Sequence, residues 1–91
     1  MKMVDENSPE KVSMQVRNLV LEEIRKGVYL PQQRIPSERV LSESYGASRS
    51  SVREAIAQLI SEGVLLRAGA RGTFVSERPG GRGPAGGGYP P

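Results

Sequence analysis

Three apolar stripes at helical spacing, followed by two short β-prone runs, organise this chain. Val12, Val16, Leu19, Val20 and Ile24 recur at steps of three and four, which puts them along one side of a helix. Glu22, Glu23, Arg25 and Lys26 fall largely off that side. Ser8-Pro9-Glu10 reads as the start, with serine as N-cap, proline at the first helical position and an acid near the positive end of the dipole. The pattern predicts a first helix from there to about Lys26, stopped by Gly27. Tyr29-Leu30-Pro31 predicts an extended connector, because the residue before a proline is steered away from helical angles.

Two closely spaced helices follow. Ser37 caps a short one over Glu38 to Tyr45, with Val40 and Leu41 facing inward and Gly46 ending it. Ser48 caps a third from Arg49 to about Glu62, whose Val52, Ala55, Ile56 and Leu59 form a stripe that ends at Gly63. Only Gly46-Ala47-Ser48 joins them, the spacing of a helix-turn-helix. Beyond Gly63, Val64 to Ala68 and Thr73 to Ser76 are β-prone runs separated by Gly69-Ala70-Arg71-Gly72, which predicts a hairpin. The expected fold is therefore mainly α with a small β-hairpin: a winged helix-turn-helix, three helices plus a wing, over residues 9–78. Residues 1–8, polar and without pattern, are expected to be disordered. The same holds for 79–91, a Gly/Pro-rich tail or linker too poor in apolar residues to offset the entropy of ordering.

Composition narrows the function. The 91 residues contain neither cysteine nor histidine, so a zinc finger is excluded, disulfide chemistry is absent and the commonest general base is missing. No nucleophile and base stand at a recognisable spacing, so neither an enzyme nor a cofactor is expected. No apolar run is long enough to cross a bilayer and no apolar signal core opens the chain, which points to a cytoplasmic protein away from membranes. Thirteen Lys/Arg against ten Asp/Glu leave a net charge of only +3, so arrangement rather than total charge must indicate the partner.

The third helix carries that arrangement. Burying its stripe leaves Ser50, Arg53, Glu54 and Ala57 outside, with Arg49 and Ser51 crowding the front end. Such an end suits the major groove, where small hydroxyls meet phosphates and arginine reaches guanine bidentately. Taken alone, the same face is also what a solvated helix presents, and Gly69 to Gly72 alone is a plain hairpin loop. The preceding short helix and the following wing favour DNA, with Arg71 at a glycine-framed tip able to approach a neighbouring minor groove or phosphate backbone. Arg39 also has Glu43 available as an i,i+4 partner, and Glu54 is placed to orient Arg53 or support the helix surface.

Leu30-Pro31-Gln32-Gln33-Arg34-Ile35-Pro36-Ser37-Glu38-Arg39, the run Tyr45 to Ala55, Glu62-Gly63-Val64-Leu65 and Arg71-Gly72-Thr73-Phe74-Val75 resemble the N-terminal domain of GntR-family regulators in unbroken register from about Lys11 to Ser76. The resemblance implies a recognition helix in the major groove of a palindromic double-stranded operator, a wing at the adjacent minor groove, and a homodimer for the full-length protein. It also implies an effector domain after Ser76, which is missing, so a monomer is the alternative for the isolated domain. By analogy with fatty-acid-responsive relatives, it implies DNA contacts from Arg39, Arg49 and Arg53, with the hydroxyls of Ser50 and Ser51 between them. Ser48, Gly69, Arg71 and Gly72 complete the expected site. Val52-Arg53-Glu54-Ala55 leans toward the branch with an all-helical effector domain, and Pro31-Gln32 stands where the family commonly has Pro-Gly. The alternative is a protein- or RNA-interaction module, whose Arg78 to Gly83 segment is RGG-like.

Overall fold

The structure, a computed structural model, describes residues 3–5, 7 and 11–77. Three helices, α1 (Val12–Arg25), α2 (Glu38–Tyr45) and α3 (Arg49–Ser61), precede an antiparallel hairpin of β1 (Leu65–Arg67) and β2 (Thr73–Val75), with a single 3-10 turn over Gly69–Arg71 at its tip. The predicted fold class is what is observed. The N-terminal start signal and the tail expected over 79–91 both lie outside the described residues.

Helix α1 begins later than Ser8-Pro9-Glu10 suggested. Lys11 stands in the N-cap position with extended angles and offers no side-chain cap. The reason is tertiary. Asp5 N donates to Gln15 Oε1 at 2.6 Å, and Gln15 Nε2 donates back to Asp5 O at 2.8 Å. A helical rise of about 1.5 Å per residue would carry Asp5 far from Gln15, whereas Asp5 lies beside the first turn of α1. Val4 N donates to Tyr45 O at 2.9 Å and Val4 packs against the core. The unpatterned N-terminal stretch thus contributes contacts that no periodicity advertised.

The core forms where the stripes converge. Val16, Val20 and Ile24 of α1 meet Val52, Ala55, Ile56 and Leu59 of α3, all of these α3 residues between 0% and 2% exposed. A two-pronged ion pair fastens the C-terminal end of α3 to the middle of α1, Arg17 Nε donating to Glu62 Oε2 at 2.8 Å and Arg17 Nη2 to Glu62 Oε1. From α2, Leu41 and Tyr45 point inward one turn apart, whereas Val40, expected inside, is 39% exposed. The short helix presents a narrow face, and Leu41 with its i+4 neighbour fills it, leaving Val40 at the rim. Tyr45 closes the α1 side through a side-chain hydrogen bond with Tyr29; burial, reinforced by the neighbouring Tyr29 and Glu23, raises its hydroxyl pKa above the usual tyrosine value.

In the hairpin, Leu65 pairs with Val75, Leu66 with Phe74 and Arg67 with Thr73. Strand alternation sends Leu65 and Val75 into the core and leaves Leu66 on the outer face. Ser76 secures the base, its hydroxyl donating to Gly63 O at 2.8 Å and its N–H to Val64 O at 2.9 Å. The other edge of β2 is also occupied. Gln32 N donates to Val75 O, Val75 N to Gln33 O and Ile35 N to Thr73 O, with Arg34 bridged to Phe74, so the connector is partly a third strand.

The connector enters this pairing through a turn closed by Gln33 N to Leu30 O at 3.0 Å, with Pro31 second and Gln32 third at φ +68°. Proline second and a positive φ third is the type II arrangement, which favours glycine at the third position. A left-handed non-glycine residue costs about 1–2 kcal/mol, and glycine's greater freedom in the unfolded chain offsets part of any relief. Gln32→Gly is therefore expected to stabilise the domain by about 0.5–1 kcal/mol in chemical denaturation; a loss of stability would show that the Gln32 side chain has a role of its own.

Candidate nucleic-acid interface

The turn between α2 and α3 sets the front of the site. Gly46 ends α2 in the left-handed region, and a Cβ there would lie 2.6 Å from the Met3 terminal methyl, so Met3 lies directly over the turn. Two residues later Ser48 accepts a hydrogen bond from Ser51 N at 3.1 Å, and its hydroxyl also meets those of Ser50 at 3.2 Å and Ser51 at 3.0 Å. Ser48 is thus first a helix cap. Ser50 stays exposed, while Ser51 is half-buried behind the cap.

The arginines divide into distinct settings. Arg49, the first residue of α3, is exposed and makes no ion pair among the described residues. One turn on, Arg53 directs Nε and Nη2 at Glu38 Oε1, both at 3.4 Å, and remains 64% exposed at its side chain. Glu38 rather than Glu54 therefore orients Arg53; Glu54 reaches Lys11 at 3.8 Å instead. Arg39 pairs with Glu43 at 3.7 Å as its spacing suggested, an exposed i,i+4 contact that adds about 0.3–0.5 kcal/mol and leaves the arginine accessible.

A cleft of about 430 Å³ lies between the front of α3, the start of α2 and the wing, and Arg39, Arg49 and Gly72 all border it. Two further arginines on its rim, Arg34 from the connector and Arg67 from β1, were not among the candidates from sequence. Strand alternation hints at Arg67, which shares the helix-facing side of β1 with Leu65. Nothing local reveals Arg34, which is brought there by its pairing with β2. Arg71 is placed elsewhere. It borders the outer face of the hairpin with Leu66 and Phe74, and Gly69, with open space around its Cβ direction, sits with it at the tip. Sequence reasoning treated the wing as one contact surface; the structure gives it two sides.

No group of acidic residues among those described is arranged to hold a metal ion, and no described helix is long and apolar enough to cross a membrane.

Three helices with a tight turn between the second and third, a hairpin directly behind, and basic side chains gathered where α3 begins define a winged helix-turn-helix domain of the regulator type. The chain belongs to the gntR family of bacterial regulatory proteins, whose sequence profile matches residues 12–75. The transcriptional repressor NagR of Bacillus subtilis is 38% identical over 74 residues, covering 81% of this chain and 30% of NagR. The regulator YurK of the same organism is likewise 38% identical, over 80% of this chain and 30% of its own length. The chain thus spans about 30% of these relatives. Among solved structures, the AraR DNA-binding domain in complex with operator ORE1 aligns with a TM-score of 0.72 at 33% identity, over 84% of this chain and 93% of that one. YtrA of Sulfolobus acidocaldarius, a GntR-family transcription factor, aligns at 0.73 and 27% identity over 82% and 79%. These relatives are transcriptional regulators.

Ser48→Ala is expected to lower stability by about 1 kcal/mol in denaturant titration, with Ser50→Ala closer to neutral because Ser50 caps nothing. Equal effects would remove the distinction between the capping hydroxyl and the exposed one.

Proposed function

We propose that this chain binds double-stranded DNA sequence-specifically as the reading domain of a cytoplasmic transcriptional regulator. Helix α3 enters the major groove front end first, and the wing over 69–72 reaches toward the adjacent minor groove. The observation that carries the reading is the exposed front of α3, where Arg49 is unpaired among the described residues and Arg53 is held at the surface by Glu38. Guanidinium groups so placed can donate to guanine O6 and N7, and the Ser50 hydroxyl beside them suits a phosphate or base edge. The similarity to a DNA-binding domain solved in complex with an operator supports double-stranded DNA as the partner.

Arg39, at the start of α2, and Arg71 and Gly69, at the wing tip, flank this centre as backbone contacts. A palindromic operator follows if two copies bind together, each contributing one α3 to successive turns of the groove. Homodimerisation and effector binding then belong to sequence beyond the part of the relatives that this chain spans.

Selection from a randomised duplex pool is expected to return a palindromic consensus. Arg49→Ala or Arg53→Ala should weaken binding to that consensus by about 1–3 kcal/mol while leaving the thermal transition in place. Indistinguishable affinity of the unaltered chain for consensus and scrambled duplexes would sink the reading. Arg71→Ala should weaken consensus and scrambled duplexes alike and reduce the salt dependence of both, by about 0.9 in the slope of log affinity against log salt; an unchanged slope would take Arg71 out of the interface.

A further inference from the structure

The arginines around the cleft are more numerous than base reading by α3 requires. Arg34, Arg39, Arg49 and Arg67 border one concavity, and the acidic side chain on its rim, Glu38, is already engaged by Arg53 from the next turn of α3. Arg39 is partly balanced by Glu43, but Arg34, Arg49 and Arg67 have no carboxylate partner among the described residues. Like charges gathered around one hollow repel one another, and an anion drawn into the hollow relieves that repulsion.

Gly72 supplies an independent sign that the Arg34 placement matters. A Cβ on Gly72 would stand 2.7 Å from Arg34 Nε and 3.4 Å from Cζ, so the guanidinium lies across the bare α-carbon of the wing. The backbone there has φ +111°, a conformation that side chains rarely adopt. Gly72 thus shapes the wing and also clears the path by which Arg34, anchored through its bridge to Phe74, reaches the cleft.

We propose that this cleft seats one phosphodiester of the DNA backbone, gripped from the wing side by Arg34 and Arg67, and that Gly72 serves the interface by making room for Arg34 rather than by touching DNA. The proposal rests on the DNA-binding reading above and adds the part of the ligand that this hollow receives. A backbone phosphate is the fitting anion because the cleft lies between the two elements that address neighbouring grooves, where the sugar-phosphate chain must pass. The seat fixes register and orientation on the duplex without reading sequence. It also assigns the inner side of the wing, rather than the outer side that carries Arg71, to the phosphate nearest α3.

The test uses the full chain with a labelled mixed-sequence duplex and with the consensus from selection, each titrated with KCl. Arg34→Gln and Arg67→Gln are each expected to lower the slope of log affinity against log salt by about 0.9 and to weaken both duplexes by the same factor. Arg34→Lys should keep the slope, because a phosphate accepts a point charge where bidentate base recognition does not. Gly72→Ala should reproduce the Arg34→Gln defect and add little to it in the double variant. If the wing of Gly72→Ala does not fold, Arg34→Gln with its lysine rescue decides alone. Slopes unmoved by both Arg34→Gln and Arg67→Gln, or a loss confined to the consensus, would overturn the seat while leaving the sequence-specific reading intact. Slopes that fall in a chain without sequence preference would keep the seat and remove that reading instead.

Discussion

Everything at the surface of this domain follows from the burial of one side of α3. Val52, Ala55, Ile56 and Leu59 are sealed between α1 and the hairpin, and at about 25 cal/mol per Å² of apolar surface no rotation of the helix could recover what their exposure would cost. With the stripe locked inward, Arg49, Ser50 and Arg53 have only the outside left to them. The Arg17 fork on Glu62 holds the rear of α3 against α1, and the Ser48 cap finishes the front. The helix is thereby fixed in rotation by its core and in position by its two ends.

Around that fixed helix, charge is arranged by pairing as much as by placement. Glu38 draws Arg53 toward α2, Glu43 attends Arg39, and Lys11 takes up Glu54. These are exposed contacts of modest strength, and each can yield to a stronger anion. Although the net charge is only +3, Arg34, Arg39, Arg49 and Arg67 border one cleft. A small overall excess is therefore compatible with a strongly basic local surface.

Much of this was legible in the chain itself because the informative signals are local. Ser37, Ser48 and Gly46 act on their own neighbours, so the boundaries of α2 and α3 could be read from caps and spacing, and the two strands from a pair of β-prone runs framed by glycine. What escaped depends on contacts between distant segments. Asp5 pairs with Gln15 from ten residues away, the partner of Arg53 comes from another helix, and Arg34 enters the site through a strand pairing that leaves no periodic trace. Val40 shows a subtler limit, since a two-turn helix has too few residues for its pattern to define which apolar neighbour lies at the rim. Among the site candidates, the outward placement of Arg49, Ser50 and Arg53 was legible from burial alone, whereas the division of the wing into two sides required its register against the connector.

The crossing of Arg34 over Gly72 ties together two positions that are remote in the chain. A bulkier residue at 72 pushes the guanidinium aside, so the long side chain at 34 keeps this crossing only while the α-carbon stays bare. In an alignment of relatives sharing this geometry, the two columns should covary, and a regulator with a side chain at the wing position should have shortened the connector residue or reached its DNA by another route.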